Sequence, residues 1–260
     1  MLANYPPFLP IPEKIARRAR AMFGNRNIYL TIGNQIDELF SDLFSEISWS
    51  KNDGSPLESK YLLSLISAIQ YEEELPDLQF IEALRARIDI KYALHLPENY
   101  PGLDFVWLSG LRKQLSAAPQ KMESFQKFLD RLKYMGLFCR NDGKPYDAET
   151  VIKTLMISSL MERVVQSMYM LLEELAIEDA NWLRSIILPQ WYERYNRNRP
   201  IIFWPNFNNN WRAFPQAIGK DLQYLIEKID KSPINISEGL PTVLILKQAW
   251  DDLYQAMDQN

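Results

Sequence analysis

A mostly α-helical fold, a multi-helix bundle with at most one or two short strands, is what this sequence predicts. Three observations carry that prediction. Apolar residues recur at spacings of three and four along most of the chain, the signature of amphipathic helices. Glycine is scarce, 9 among 260 residues, which counts against a turn-dense all-β protein. Hydrophobic residues make up 47% and charged residues 24%, enough apolar surface for a buried core and too much for a disordered chain.

The elements follow in order. The opening residues are proline-rich (Pro6, Pro7, Pro10, Pro12) and read as an extended arm. Pro12 suits the entry to a helix over Glu13 to Phe23, which Gly24-Asn25 ends. Asn27 to Ile32, NIYLTI, reads as a short strand. Gln35 to Ser45 returns to helical spacing, and Ser50 to Pro56 is a loop. Ser59 to Glu73 is a strongly amphipathic helix with Tyr61, Leu62, Leu65, Ile66 and Ile69 on one side. Pro76 interrupts the pattern, and Asp77 to Leu94 carries the next helix. A loop over Pro97 to Gly102 precedes helices at Phe105 to Leu115 and Lys121 to Met135. Gly136 and Asn141-Asp142-Gly143 mark a break, so two segments are expected, 1–135 and 136–260. Thr150 to Leu175 is the longest helical pattern. Helical patterns over Trp182 to Tyr195, Gln216 to Ile229 and Val243 to Met257 close the chain, with a loop at Asn206 to Asn210.

Charge and composition narrow the chemistry. The net charge is −4, with a pI of about 5.3, so any nucleic-acid contact must come from local basic patches. A single cysteine, Cys139, forbids an intrachain disulfide and a cysteine-rich zinc site. A single histidine, His95, removes paired-histidine metal sites and reads as structural. No signal peptide opens the chain, and no apolar stretch approaches the ~18 residues needed to span a membrane. The expectation is a cytoplasmic protein with no membrane partner.

Three basic segments stand out: Lys14, Arg17, Arg18, Arg20 and Arg26; Arg112, Lys113, Lys127, Arg131 and Lys133; and Arg184, Arg194, Arg197 and Arg199. Phosphate contacts need such local positive charge along a helix face, which is also how an ordinary solvated face reads. The first segment is the sharpest. A fourth group, Arg85, Arg87 and Lys91, has Glu82 and Asp89 at helical spacing, able to neutralise it. Carboxylates are the abundant metal-capable groups: Asp142, Asp147 and Glu149 near the central break, and the run Glu72-Glu73-Glu74. A two-metal site needs carboxylates converging from different elements, which neighbours in sequence do not supply. By itself Asp147 reads as a cap at the start of the long helix.

The stretch Leu75 to Leu115, LPDLQFIEALRARIDIKYALHLPENYPGLDFVWLSGLRKQL, resembles the N-terminal region of bacterial insertion-sequence transposases of the DDE class. Matching positions include Asp77, Gln79, Arg85, Arg87, Ile88, Asp89, Lys91, Tyr92, Gly102, Asp104, Phe105 and Arg112. The resemblance extends to IPEKIARRARAMFGNRNIY, to LKYMGLF at 132–138, to ANWLRSIILPQWYERY at 180–195, and to the last two helical patterns. It covers essentially the whole chain with the N-terminal half of that family.

The resemblance implies double-stranded DNA as partner, through Lys14, Arg17, Arg18, Arg20, Arg85, Arg87, Lys91, Arg112 and Lys113. It places Asp147 at the first carboxylate of the family's catalytic triad, which uses Mg²⁺. The family's Ser, Thr and His after that carboxylate are replaced by Ala148, Glu149 and Thr150, and its other two carboxylates lie further along. The expectation is therefore DNA binding without strand cleavage, with no resident cofactor. Two alternatives stand beside it: a helical module for association with itself or with a full-length transposase, and one part of a split DDE transposase.

Overall fold

A computed structural model describes residues 9–41, 60–138, 147–196, 212–232 and 240–258. Among them twelve α-helices form, with no strand. The chain divides into two compact units, Met1–Leu155 and Met156–Asn260. The loops expected at 50–56 and 206–210, the turn at 141–143, Cys139, Arg197 and Arg199 lie outside the described residues.

In the first unit, α1 (Glu13–Phe23) buries Ile15 and Ala19 and turns its basic residues outward. Gly24 ends it with a φ of 61°, a conformation that costs glycine little, and a 3₁₀ turn over Gly24–Arg26 follows. The expected strand at Asn27 to Ile32 is instead α2 (Ile28–Asn34). Its β-branched and aromatic residues favour a strand locally, but the Asn27 side chain accepts hydrogen bonds from the N–H groups of Tyr29 and Leu30 and starts a helix. The buried set Tyr29, Leu30, Ile32 and Gly33 then follows a helical face, and burial decides over propensity.

A short α3 (Ile36–Phe40) sends Phe40 into a stack on Phe128, 4.8 Å between centroids. In α4 (Lys60–Glu72), Leu62, Leu65, Ile66 and Ile69 are buried as the amphipathic pattern requires. The single helix expected over Asp77 to Leu94 is two, α5 (Asp77–Ala86) and α6 (Ile88–Ala93). Arg87 between them is extended (φ −85°, ψ 116°), and the Asp89 carboxylate accepts the Ile90 N–H in the first turn of α6. Helices α7 (Phe105–Ser116), capped by the Asp104 side chain, and α8 (Pro119–Tyr134), with proline at its first position, complete this part. Gly33 lets α2 meet α6: a Cβ there would stand 2.7 Å from the Tyr92 carbonyl oxygen.

The long helix α9 (Ala148–Ile186) begins in the first unit and breaks at Asp179, which is extended (φ −152°, ψ 91°). Asp179 Oδ1 accepts the N–H groups of Asn181 and Trp182, both at 2.9 Å, so the residue caps a new segment as it ends the old one. In the second unit, α9 is joined by α10 (Trp191–Arg194), α11 (Ala213–Asp230) and α12 (Pro241–Asp258). Met161, Val164, Met168, Leu171 and Leu175 of α9 meet Leu225, Leu246 and Leu253 in one core. Arg163 bonds Asp252 at 3.3 Å and Glu174 accepts from Thr242, so α12 runs antiparallel to α9. No helix among the described residues is long and apolar enough to cross a membrane.

Candidate nucleic-acid interface

The basic residues singled out in the sequence separate into two kinds once burial and partners are known. On α1, Arg17, Arg20 and, beyond the helix, Arg26 are exposed. None of the three has a carboxylate partner among the described residues; Arg20 donates only to the Tyr92 hydroxyl, at 3.4 Å. Lys14 and Arg18, one turn apart, both pair with the carboxylate of Glu98. The outward side of α1 therefore carries a row of cations with one acid set against two of them.

Lys91 builds this platform rather than belonging to it. It is 3% exposed, and its ammonium donates to the carbonyl oxygens of Arg85, at 2.7 Å, and Glu98. Burial lowers its pKa, and the nearby Arg18 charge lowers it further. By anchoring the Glu98 backbone, Lys91 fixes the loop whose carboxylate grips α1. Expected as a DNA contact, it is removed from that role by its burial.

Arg112 is corrected in the same way. It is 1% exposed and forms a two-point ion pair with Asp77, while its other donor meets Gln70 Oε1 at 2.7 Å. Gln70 Nε2 in turn donates to Asp77 Oδ1 at 2.7 Å. This buried triangle ties α4, α5 and α7 together and holds the guanidinium inside the unit, away from any phosphate at the surface.

Arg87 lies between the two kinds. Its guanidinium bonds both oxygens of Asp89, at 3.1 and 2.8 Å, pairs with Glu73, and sits over the Tyr29 ring with 5.3 Å to the centroid. The Tyr29 hydroxyl donates to the other Glu73 oxygen. Burial raises the Tyr29 pKa, and the Glu73 contact raises it further. At Asp89, burial pushes the pKa upward, but the Arg87 bonds and charge, the Ile90 N–H and Asn27 together outweigh it, so the net shift is downward. Two acids thus meet the single charge of Arg87, which is spent inside the unit. Arg85 is half-exposed, bonded to Glu82 and to the Pro101 carbonyl oxygen at 2.5 Å. Lys113, in the last turn of α7, is exposed and without an ion-pair partner among the described residues.

The remaining basic segments are more dispersed. Lys127 pairs with Glu123 at 3.5 Å, Arg131 lies 3.9 Å from Glu38, and Arg194 is held by Asp221, which also accepts from Tyr195 at 2.8 Å. His95 is held between the carbonyl oxygens of Leu9, 2.5 Å, and Gly33, 2.9 Å, a structural placement.

Asp147 caps α9 with both oxygens: Oδ1 accepts the Thr150 N–H at 2.8 Å and Oδ2 the Thr150 hydroxyl at 2.7 Å. Glu149 points to solvent, and Asp142 lies outside the described residues. Among the described residues no group of three metal-capable side chains converges. Both Asp147 oxygens are thus committed to the first turn of α9.

Sequence reasoning missed Glu98, Gln70 and Asp77 as the groups that decide which cations stay available. Glu98 is more than seventy residues from the α1 cations it grips, and local charge spacing carries no signal for so distant a pairing. No protein-family model, curated protein or solved structure matches the chain.

Proposed function

We propose that this chain is related to the insertion-sequence transposases it resembles and binds the phosphates of duplex DNA through α1, without cleaving the strands. The observation that carries the reading is the α1 row itself: Arg17 and Arg20 exposed one turn apart, Arg26 beyond them, and no carboxylate set against the three among the described residues. Exposed, unpaired guanidiniums on one helix are what phosphate contact requires. Lys113 and the half-exposed Arg85 are secondary contacts. The net charge of −4 opposes approach only within the ~8 Å reach of electrostatics at physiological salt, so a local row stays usable.

Mobility-shift titrations across salt concentrations test this. Each lost phosphate contact reduces the slope of log affinity against log salt by about 0.9. Arg17→Gln/Arg20→Gln should weaken binding and flatten that slope together. Glu98→Gln should act in the opposite direction, since it releases Lys14 and Arg18 for phosphate. Absence of binding at low salt, or a Glu98→Gln variant no tighter than the parent, sinks the reading.

A second reading, self-association, is favoured by one observation in the second unit. Met170 and Ile177 on α9 and Leu244 and Ile245 on α12 are exposed apolar residues, Ile177 at 84% and Leu244 at 71%. The antiparallel register places Met170 and Ile245 near each other. Sedimentation of the parent and of Leu244→Asp/Ile245→Asp decides it: an oligomer that dissociates in the variant supports it, and a monomeric parent rejects it.

A further inference from the structure

A groove of about 720 Å³ runs between α11 and α12 in the second unit. Gly219 lines it, and a Cβ there would lie 2.5 Å from Cη2 and 2.6 Å from Cζ2 of Trp250. Glycine in the middle of a helix costs about 0.5–1 kcal/mol relative to alanine. Here that cost lets the Trp250 indole lie against the α11 backbone. Tyr254 stands one turn further along α12, on the same side, and is 58% exposed. The two rings make one aromatic wall.

The charges along the groove are ordered. The contact of Arg212 with the Met257 carbonyl oxygen at 3.3 Å, together with the Gly219–Trp250 contact, fixes α11 and α12 as antiparallel. In that register Lys220, beside Gly219, and Lys247, one turn before Trp250, flank the middle of the groove from opposite walls. Both are exposed, and neither has a hydrogen-bond or ion-pair partner among the described residues. Acids stand toward the ends instead: Asp258 near Arg212 at one, Glu227 and Asp230 at the other, with Glu227 3.5 Å from Lys231. An aromatic wall beside two unpaired lysines suits a planar ring carrying an anionic group. Acids toward both ends disfavour a continuing polyanion, and the volume is that of a small-ligand site.

We propose that this groove binds a mononucleotide-sized ligand, a planar base against Trp250 and Tyr254 with its phosphate between Lys220 and Lys247. The proposal concerns the second unit and stands independently of DNA binding by α1.

Isothermal titration of the full chain with adenosine monophosphate, adenosine, inorganic phosphate and a thymidine oligonucleotide tests it. The nucleotide should bind saturably, at least tenfold tighter than either adenosine or phosphate alone. Lys220→Gln/Lys247→Gln, whose side chains hold nothing in the fold, should weaken nucleotide binding at least tenfold and leave the circular dichroism spectrum unchanged. Because seven tryptophans obscure fluorescence, loss of amide exchange protection changes in 213–230 and 241–258 of the double variant supplies the location. No saturable binding of the nucleotide overturns the proposal. So does phosphate binding as tightly as the nucleotide, full retention of affinity in the double variant, or an oligonucleotide that binds through Lys220 and Lys247 more tightly than the mononucleotide.

Discussion

Asp77→Ala should destabilise the first unit more than any single exposed charge change. The Asp77 side chain is wholly buried and that of Arg112 is 2% exposed, so the mutation leaves a guanidinium in the core with only Gln70 and, at 3.5 Å, the Leu155 carbonyl oxygen as acceptors. Breaking a buried pair by removing one partner costs about 3–5 kcal/mol, most of it the burden of the stranded charge. With a urea m-value of about 1–3 kcal/mol per molar, the midpoint falls by more than about 1 M. Arg112→Met should cost a similar amount, because it strands Asp77 and Gln70. The double variant Asp77→Ala/Arg112→Met, with neither charge left, should lose clearly less than the sum of the singles. Urea unfolding followed by circular dichroism gives the magnitudes, and hydrogen exchange in 60–72, 77–86 and 105–116 assigns the loss to the triangle. Single losses below about 1 kcal/mol, or strict additivity in the double, would refute the assignment of this pair as the unit's buried electrostatic tie.

Three further outcomes follow from the geometry. Asp89 titrates lower in the folded chain than its ordinary 3.8, so between the two values the unfolded state binds more protons; its stabilisation is complete above about pH 4 and is lost as pH falls through the folded value. Asp89→Asn should flatten the acid limb of a stability–pH curve, and an unchanged limb would remove Asp89 as its source. Gly33→Ala places a Cβ 2.7 Å from a backbone oxygen that cannot rotate away, an overpacking cost of about 1–3 kcal/mol that exceeds the helix-propensity gain; a thermal midpoint at or above the parent's contradicts the close approach of α2 and α6. Asp147→Ala should cost about 0.5–2 kcal/mol as a lost cap and increase exchange at 148–152, and any Mg²⁺-dependent nicking that disappears with it would give this carboxylate a catalytic role instead.

The sequence by itself determined the helices whose apolar residues lie on one face. The patterns over Glu13 to Phe23, Ser59 to Glu73 and Thr150 to Leu175 appear as α1, α4 and α9, because a periodic stripe gains free energy by burial whatever it packs against. The Asp147 cap was legible for a similar reason, since capping joins residues three apart. What depended on distant partners was not legible. NIYLTI has strand propensity and becomes a helix because Asn27 caps it and its Tyr29–Gly33 face is buried. The pattern over Asp77 to Leu94 breaks at an extended Arg87, whose guanidinium pairs with Glu73, just past the end of α4, as well as with Asp89.

The charges show the division most sharply. Arg17, Lys91 and Arg112 look alike in sequence, each a cation in a helical stretch. Tertiary structure leaves Arg17 in solvent, sets Lys91 under two carbonyls and closes Arg112 into a core triangle. A charge keeps its availability only where no acceptor from another helix reaches it, and that is settled by three-dimensional proximity between residues far apart in the chain, which spacing along the sequence does not encode.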